Sequence, residues 1–237
     1  MEPAPYRTEP VSFTRRGGRL SERQQAAWDA LATTYVAEAP DNGPTTSIDP
    51  SYVLDTTALF GREAPLVVEI GTGRGEAIVH AAHEHPDQNF LGLEVYVPGV
   101  AQTLVTMRHR GVENVRLMIV NAAEALGTML PPASVHDLRV WFPDPWHKKR
   151  HNKRRLVTPS FAALAARVVE PGGTWRLATD WQEYADQMRD VLAGSPDFEF
   201  SGTWAPRFAG RPMTRFEHKG LQVDRDIRDL EAVRRPL

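Results

Sequence analysis

An acidic side chain held between two prolines stands directly before a dense run of cations. Asp144 lies between Pro143 and Pro145, and six of the eight residues at 148–155 are lysine or arginine. The prolines restrict the backbone on both sides of the acid, so the carboxylate points in one direction with little local freedom. Cations at this density can grip several phosphates. The arrangement predicts that a chemical step and a polyanion meet here, although a turn built for shape alone would also use such prolines.

The basic run departs from the average character of the chain. With 28 lysine and arginine residues against 30 aspartate and glutamate residues, the formal net charge is -2. A local excess of one sign on a slightly acidic chain indicates a contact site more than a device for solubility. The sequence contains no cysteine, which excludes disulfides, thiolate metal sites and cysteine nucleophiles.

A glycine-rich turn between two carboxylates follows the first long apolar run. Gly71, Gly73 and Gly75 have the spacing G-x-G-x-G, with Glu69 before them and Glu76 after them. Glycine at Gly71 allows a ligand to approach the backbone closely. The spacing is not the G-x-G-x-x-G that seats a pyrophosphate, and the two acids would repel one. S-adenosylmethionine, which has a sulfonium and an α-amino group but no phosphate, suits this turn better than a dinucleotide.

Two further polar residues follow the next two apolar runs. Glu94 comes about 20 residues after the glycines, where an acid can accept hydrogen bonds from both ribose hydroxyls. Asn121 offers a carboxamide that can donate to a ring nitrogen of adenine and accept from its exocyclic amine. Together with Glu69, these residues predict a nucleoside site at the carboxyl ends of three strands.

The elements that would position these residues form a repeated pattern of strand and helix. Strands are predicted at 66–70, 89–94, 115–120, 135–141 and 174–178. Helices are predicted at 76–83, 97–110, 122–130, 159–169 and from about residue 180. Five such units predict an α/β fold with a mostly parallel central sheet and helices on both faces. Residues 198–201 and 220–223 are expected to add edge strands.

The first 50 residues differ in composition from the rest. Residues 1–50 are predicted to form a basic, partly disordered extension with a short helix from Ser21, and residues 51–237 one domain. The basic cluster of the extension consists of Arg15, Arg16 and Arg19. We find no secretory signal and no apolar run long enough to span a bilayer, so the chain is expected to be cytoplasmic with no membrane partner.

Histidines and aromatic residues near the motifs have simpler interpretations. The histidines form no recognisable metal-ligand set, so no metal is predicted. They are His80, His83, His85, His147 and His151. Trp175, Trp181 and Tyr184 are expected to line the core, whereas Trp146 is equally suited to stacking on a base or to packing against the sheet.

Six segments, in order from residue 69 to residue 220, resemble the bacterial tRNA (guanine-N7-)-methyltransferases. They are EIGTGRGE, GLEVYVPG, NAAEAL, FPDPWHKKRHNKRRLV, LATDWQEYA and TRFEHKG. Many methyltransferases share the glycine turn, but FPDPW with its basic run and a later T-x-F-E is specific to this family. The resemblance implies a Rossmann-like class I methyltransferase fold for residues 51–237, with S-adenosylmethionine as methyl donor and tRNA as substrate.

The resemblance also implies roles for individual residues. Contacts to S-adenosylmethionine are expected from Glu69, Glu94, Asn121 and Asp144, with Asp144 as the catalytic acid. Contacts to the RNA substrate are expected from Lys148, Asp180, Thr214, Arg215, Phe216 and Glu217. Contacts to RNA are expected from Arg150, His151, Asn152, Lys153, Arg154 and Arg155. The family often has an acid in place of Asn121 and a lysine in place of Arg215. Asparagine can still pair with adenine, and arginine keeps the positive charge.

The chemistry of guanine restricts the part that Asp144 can play. N7 is a neutral ring nitrogen with a free lone pair, so methyl transfer to it needs no general base. Asp144 is therefore expected to position the reactants and to offset the positive charge that passes to the base. Asp180 is expected to accept hydrogen bonds from N1–H and the exocyclic amine of guanine. Because N7 of duplex RNA lies in a deep groove, an exposed loop nucleotide is expected, which the tRNA variable loop of the family provides.

Two other functions remain compatible with the residues. A nicotinamide-dependent oxidoreductase can use the same kind of sheet, since fold does not determine function. A non-catalytic RNA-binding protein with a vestigial pocket is the second, although it would not need the five acids Glu69, Glu94, Asp144, Asp180 and Glu217. Neither the motifs nor the composition indicates an obligate protein partner.

Overall fold

The computed structural model of the chain describes residues 18–40 and 46–236, and a mixed sheet lies at its centre. The strands of this part are β1 (Val36–Ala37), β2 (Leu66–Ile70), β3 (Asn89–Glu94), β4 (Val115–Ile119), β5 (Val135–Trp141), β6 (Val169–Thr179), β7 (Phe198–Phe200) and β8 (Arg228–Arg234). Their order is β1-β4-β3-β2-β5-β6-β8-β7. The six strands from β1 to β6 pair in parallel, and β8 runs antiparallel to both of its neighbours.

Helices connect the parallel strands and cover both faces of the sheet. They are α1 (Glu22–Tyr35), α2 (Thr56–Phe60), α3 (Glu76–Glu84), α4 (Val97–Arg110), α5 (Ala122–Glu124), α6 (Pro159–Val168), α7 (Gln182–Ala193) and α8 (Arg215–Leu221). A π-helical turn, Ala125–Met129, continues α5, and a 3-10 helix spans Lys149–Arg154. The α/β fold with a mostly parallel sheet, predicted from the repeated pattern, is therefore confirmed.

The central strands are apolar throughout because helices bury both of their faces. Along β2, Val67 packs into the cluster on the side of α1, α3 and α4, while Val68 packs into the cluster on the side of α6 and α7. Such two-sided burial produces a continuous apolar run instead of an alternating one. Trp175 and Tyr184 are fully buried in the second cluster, and Trp181 packs against it, as the sequence predicted.

The end of the chain differs from its prediction. Residues 198–201 do contain an edge strand, β7, but residues 220–223 form the end of α8 and a turn, so the strand predicted there is wrong. Thr214 caps this helix, since its hydroxyl accepts a hydrogen bond from the Glu217 backbone N–H at 3.2 Å. The true strand, β8, was hidden because it carries charged residues that form ion pairs inside the fold.

The described part of residues 1–50 contributes to the sheet and its helical layer. Ser21 caps α1 as predicted, and its side chain and that of Gln24 form a reciprocal capping box. Ala27 of α1 is buried against α4, and β1 pairs with β4. Arg15 and Arg16 lie outside the described residues. The division of the chain at residue 50 stays a prediction.

Gly99, in the first turn of α4, packs directly against the glycine turn after β2. A Cβ at Gly99 would lie 2.4 Å from the carbonyl oxygen of Gly73, a backbone atom that cannot move without shifting the turn. Alanine normally favours a helix over glycine by about 1 kcal/mol. We nevertheless expect Gly99→Ala to lower the free energy of unfolding by about 1 to 3 kcal/mol, because the clash outweighs propensity.

Urea unfolding of the variant and of a matched control measures this effect. Gly127→Ala is the control, since the nearest atom to its new Cβ would be Leu164 Cδ2 at an ordinary 3.7 Å. The control should unfold at the same urea concentration as the unchanged protein or at a slightly higher one, because alanine has the higher helix propensity. A Gly99→Ala protein as stable as the control would show that the turn is free to move.

Candidate active site

Five polar residues that were predicted to contact the methyl donor or the RNA lie at one edge of the sheet. Glu69 is near the carboxyl end of β2 and Glu94 ends β3, while Asn121, Asp144 and Asp180 follow β4, β5 and β6. Since these strands are parallel, their carboxyl ends all face the same side. Open α/β sheets bind their ligands in the crevice at this edge.

Glu94 is held by the backbone around it. One carboxylate oxygen accepts the Gly73 N–H at 2.8 Å, and the other accepts the N–H groups of Val95 at 2.7 Å and Tyr96 at 3.0 Å. Burial raises the pKa of Glu94, although these three donors oppose the rise. A carboxylate has about four acceptor positions, so one remains for a hydroxyl without loss of a backbone bond.

Glu69 is a buried acid with an unsatisfied oxygen. Its Oε2 atom has no hydrogen-bond partner, and the residue is 2% exposed. Burial raises the pKa of Glu69 to about 8, despite the opposing charge of Arg139 on the neighbouring strand. A buried carboxylate oxygen without a donor is costly, and a cation beside it would remove that cost.

The glycine turn leaves room for a ligand next to these acids. Gly71, Gly73 and Gly75 all have positive φ, the left-handed region that favours glycine. A Cβ built on Gly71 would meet no atom within 4 Å. The unpaired Glu69 oxygen and the open turn therefore fit the cationic amino group of S-adenosylmethionine, and the free acceptor position of Glu94 fits a ribose hydroxyl.

Asn121 uses part of its side chain to cap a helix. Its Oδ1 atom accepts the N–H groups of Ala123 at 2.9 Å and Glu124 at 3.2 Å, at the start of α5. Its own backbone N–H donates to the Thr46 carbonyl oxygen at 2.8 Å. The sequence had suggested both a donating and an accepting role toward adenine, but the capped oxygen leaves only the amide hydrogens for it.

Asp144 projects from a turn whose two ends are strained. Phe142 and Trp146 have φ values of 51° and 41°, which cost of order 1–3 kcal/mol each for residues other than glycine. The Phe142 N–H donates to the Ala178 carbonyl oxygen at 2.8 Å, which fastens the turn to β6. Asp144 itself is exposed, and its charge adds to the effect of burial in raising the pKa of Glu94. The two carboxylates therefore face the same crevice.

The basic run forms an exposed 3-10 helix with one cation turned inward. Its exposed side chains are those of Lys148, Lys149, Arg150 and Lys153. His151, Asn152 and Arg154 are half-buried, and the Arg154 guanidinium lies over the Trp146 ring at 5.0 Å. Trp146 thus packs within this loop, with its ring centroid 5.9 Å from that of His151. Desolvation, and then the charges of Arg154 and Arg150, lower the pKa of His151.

Arg155, predicted to contact RNA, points into the protein. It is only 2% exposed. Its Nε–H donates to the Pro145 carbonyl oxygen at 2.8 Å, and its Nη1 donates to Gln187 at 2.9 Å. Its guanidinium also lies 5.0 Å from the centre of the Tyr184 ring. These contacts join the end of the basic run to the Asp144 turn.

Helix α8 connects the glycine turn with Asp180. The backbone N–H of Arg215, at its start, donates to the Glu76 carboxylate at 2.8 Å. At its other end Gly220 packs so closely on Asp180 that an added Cβ would lie 2.8 Å from the Asp180 Cβ. Oδ2 of Asp180 accepts a hydrogen bond from Arg225 at 2.8 Å. The structure therefore brings Thr214–Glu217 and Asp180 to the same side of the crevice.

Glu217 belongs to a buried ion cluster instead of facing the crevice. It is 1% exposed, and its two oxygens accept hydrogen bonds from Arg207 at 2.6 and 3.0 Å. Burial raises the pKa of Glu217, but Arg207 and Arg211 outweigh burial and hold it below the ordinary value. The Arg211 guanidinium, fully buried, also donates to Asp229 of β8 at 2.9 Å and lies 4.9 Å from the Trp141 ring centre. Phe216, by contrast, is exposed.

Sequence analysis missed four residues that organise this region. They are Arg207, Arg211, Arg225 and Asp229. Each is a charged residue in a stretch rich in charge. The spacing of such residues in the sequence does not distinguish a buried member of an ion pair from a residue exposed to solvent. The only signal available was the proximity of two arginines to the T-x-F-E segment.

Comparisons with known proteins identify the family. A family model described as "Putative methyltransferase" matches residues 63–230. The tRNA (guanine-N(7)-)-methyltransferase of Paenarthrobacter aurescens (strain TC1) is 43% identical, over 95% of this chain and 91% of that protein. The chain belongs to the tRNA (guanine-N7-)-methyltransferase family. Another member, from Nocardioides sp. (strain JS614), is 46% identical over 96% of this chain and 88% of its own length. The resemblance found in the motifs is confirmed.

Solved structures confirm the fold. The 16S rRNA methyltransferase KamB superimposes with a TM-score of 0.58 and 17% identity, over 78% of this chain and 95% of KamB. An rRNA methylase from Streptococcus thermophilus gives a TM-score of 0.52 and 13% identity, over 73% of this chain and 88% of that structure. The chain therefore shares its fold with these two structures although fewer than one residue in five is identical.

Two features are absent from the part of the chain that the structure describes. None of the helices in 18–40 and 46–236 is both long and apolar enough to cross a membrane. Within the same ranges, no group of three or more His, Asp or Glu side chains is placed to hold a metal ion.

The raised pKa of Glu69 predicts how stability changes with pH. An acid whose pKa rises from 4.5 to about 8 on folding favours the folded state only while it is protonated. The protein should therefore lose stability as pH rises from about 5 to 8, by roughly 2 to 4 kcal/mol from this group. Glu69→Gln removes the charge and should flatten this part of the profile.

Urea unfolding at several pH values, without methyl donor, measures the difference between the two proteins. The variant should become the more stable of the two at pH 8. Parallel profiles for both proteins would show that Glu69 ionises in the folded state as it does in the unfolded chain.

Proposed function

We propose that the protein transfers a methyl group from S-adenosylmethionine to N7 of a guanosine in the variable loop of tRNA. The observation that carries the proposal is the crevice in which Glu69, Glu94 and Asp144 converge beside the exposed cations of 148–153. A sulfonium donor requires the acids, and a polyanionic acceptor requires the cations. Membership of the family gives the reaction its class.

The donor side of the crevice is formed by residues of three strand ends. Glu69 would hold the α-amino group, Glu94 a ribose hydroxyl and the Asn121 amide the adenine ring, while Gly71 gives the ligand access to the backbone. When bound, S-adenosylmethionine supplies an electrophilic methyl group on a positively charged sulfur. The unpaired Oε2 of Glu69 supports this assignment, because a cation there would stabilise its ionised form.

Asp144 acts on the acceptor without moving a proton. The N7 lone pair of guanine is free, so no base is needed to expose it. As the base gains positive charge, the fixed carboxylate of Asp144 stabilises it electrostatically. The strained turn and the Arg155 bond to Pro145 hold the carboxylate in place before the reaction. We assign Arg155 this positioning role instead of direct RNA contact.

The target base is recognised on the far side of Asp144. Asp180 keeps acceptor positions for N1–H and the exocyclic amine of guanine even while Arg225 occupies one position on Oδ2. Adenine, which has no N1–H, would leave this site unsatisfied. The exposed lysines and arginines of 148–153 bind the flanking phosphates.

Product identification tests the proposal directly. Incubation with radiolabelled S-adenosylmethionine and unmodified tRNA should yield labelled 7-methylguanosine after digestion to nucleosides. tRNA transcribed with 7-deazaguanosine is the matched control, because it keeps N1–H and the amine but lacks the accepting nitrogen. It should bind but receive no label. Binding without transfer to ordinary tRNA would support the vestigial RNA-binding alternative, and label on another atom would refute the N7 assignment.

Replacement of Asp144 tests its electrostatic role. Asp144→Asn should lower kcat at least roughly 100-fold, the size of effect seen when one preorganised charge-stabilising group is lost. Affinity for tRNA should change little, because the cations remain. Asp87→Asn provides the control, since this exposed acid precedes β3 at the opposite edge of the sheet. Near-normal turnover in Asp144→Asn would remove Asp144 from the reaction.

A further inference from the structure

The solvent face of α8 carries a continuous polar stripe. Arg215, His218, Lys219 and Gln222 are spaced i, i+3, i+4 and i+7, the repeat that places side chains on one side of a helix. All four are exposed. Together with Met213 and Thr214 they line an open hollow of about 340 Å³ on the outside of the domain. The stripe therefore presents three basic side chains around a concave surface.

The basic side chains of this stripe are not engaged with acids. Among residues 18–40 and 46–236, the side chains of Arg215, His218 and Lys219 make no ion pair, whereas nearby arginines do. Arg207 and Arg211 bind Glu217, and Arg225 binds Asp180. Those pairs stabilise the fold. The charge on the α8 stripe is instead available to a ligand from outside the domain.

The stripe lies across Asp180 from the basic 3-10 helix. On one side Gly220 of α8 packs on Asp180. On the other, the ring of His147, which precedes the basic run, is 5.7 Å from the ring of Trp181, the residue after Asp180. Asp180 therefore lies between α8, whose outer face carries the stripe, and the segment that leads into the basic run. A chain that delivers guanine to it would pass over both.

Exposed aromatic and aliphatic side chains accompany the stripe. Phe216 and Met213 are 59% and 55% exposed, and the Lys219 ammonium lies 6.0 Å from the centre of the Phe216 ring. Aromatic rings among cations are typical of surfaces that bind unpaired nucleotides, where bases stack while phosphates meet the charges. Positive charge in the hollow favours this ligand over a purely apolar protein segment.

We propose that the outer face of α8, from Arg215 to Gln222, is a second RNA-binding surface. It binds phosphates on the side of the target guanosine opposite to the side held by the basic 3-10 helix. The proposal rests on the proposed function, because tRNA is the polyanion that both surfaces would share. His218, Lys219 and Gln222 thereby join the substrate-contacting residues.

The salt dependence of tRNA binding measures how many phosphates the basic side chains of α8 contact. In filter binding of tRNA without methyl donor, Lys219→Gln should weaken binding and reduce the slope of log K against log salt by roughly 0.7 to 0.9. A double variant with Arg215→Gln should lose about twice as much, if each side chain holds one phosphate. Steady-state methylation should show a larger effect on KM for tRNA than on kcat.

Arg110→Gln is the matched control. This exposed arginine ends α4, so it lies at the opposite edge of the sheet from the crevice, and its loss should leave the slope unchanged. Urea unfolding of each variant verifies that the fold is retained. Lys153→Gln should lower the slope by the same amount as Lys219→Gln, which calibrates one contact.

The outcomes separate this proposal from the proposed function. If the unchanged protein methylates guanine N7 but Lys219→Gln and the double variant keep its salt slope and affinity, the α8 surface is refuted and the function stands. Variants that alter the sedimentation of the protein but not its salt slope would make the stripe an interface between copies and also refute the proposal. If the unchanged protein transfers no methyl group yet Lys219→Gln lowers the slope, the surface stands and the function fails.

Discussion

A buried guanidinium joins the segments on the side of the crevice where the RNA is proposed to bind. Arg211 contacts Glu217 of α8, Asp229 of β8 and the rings of Trp141 and Phe142. Desolvating such a charge is expensive unless its partners are well placed, and losing one partner leaves the others buried and unpaired. The cluster therefore determines where α8 lies and supports one end of the Asp144 turn, so the guanine recognition and the methyl transfer proposed above depend on the same interaction.

The side of the crevice proposed to bind the methyl donor contains an excess of acidic residues instead of balanced ion pairs. Glu69 and Glu94 are buried and Asp144 lies near them, so each negative charge disfavours the others. Three backbone N–H groups relieve Glu94, but Glu69 keeps an unsatisfied oxygen. A cationic ligand beside these acids would therefore relieve the repulsion between them. This arrangement explains why a dinucleotide, with its negative pyrophosphate, is a poor match.

The sequence was sufficient to predict the residues that lie at the carboxyl ends of the parallel strands. Glu94, Asn121 and Asp180 could be located because parallel strands bring their carboxyl ends together, and an apolar run reveals each strand. The pattern failed where charge is buried: four of the seven residues of β8 are arginine or acid, so the segment did not look like a strand. The same limit applies to Arg155 and Glu217. A run of cations or a helix start does not reveal which side chain turns inward, because that depends on partners distant in sequence.

The left-handed backbone at Phe142 and Trp146 carries a consequence for how the protein can change. Glycine would adopt those angles without strain, but it would remove the ring of Phe142 from beside Arg211 and the ring of Trp146 from beside Arg154. A turn without those rings would leave its carboxylate free to point in several directions. At these two positions a fixed acid and a relaxed backbone are therefore mutually exclusive.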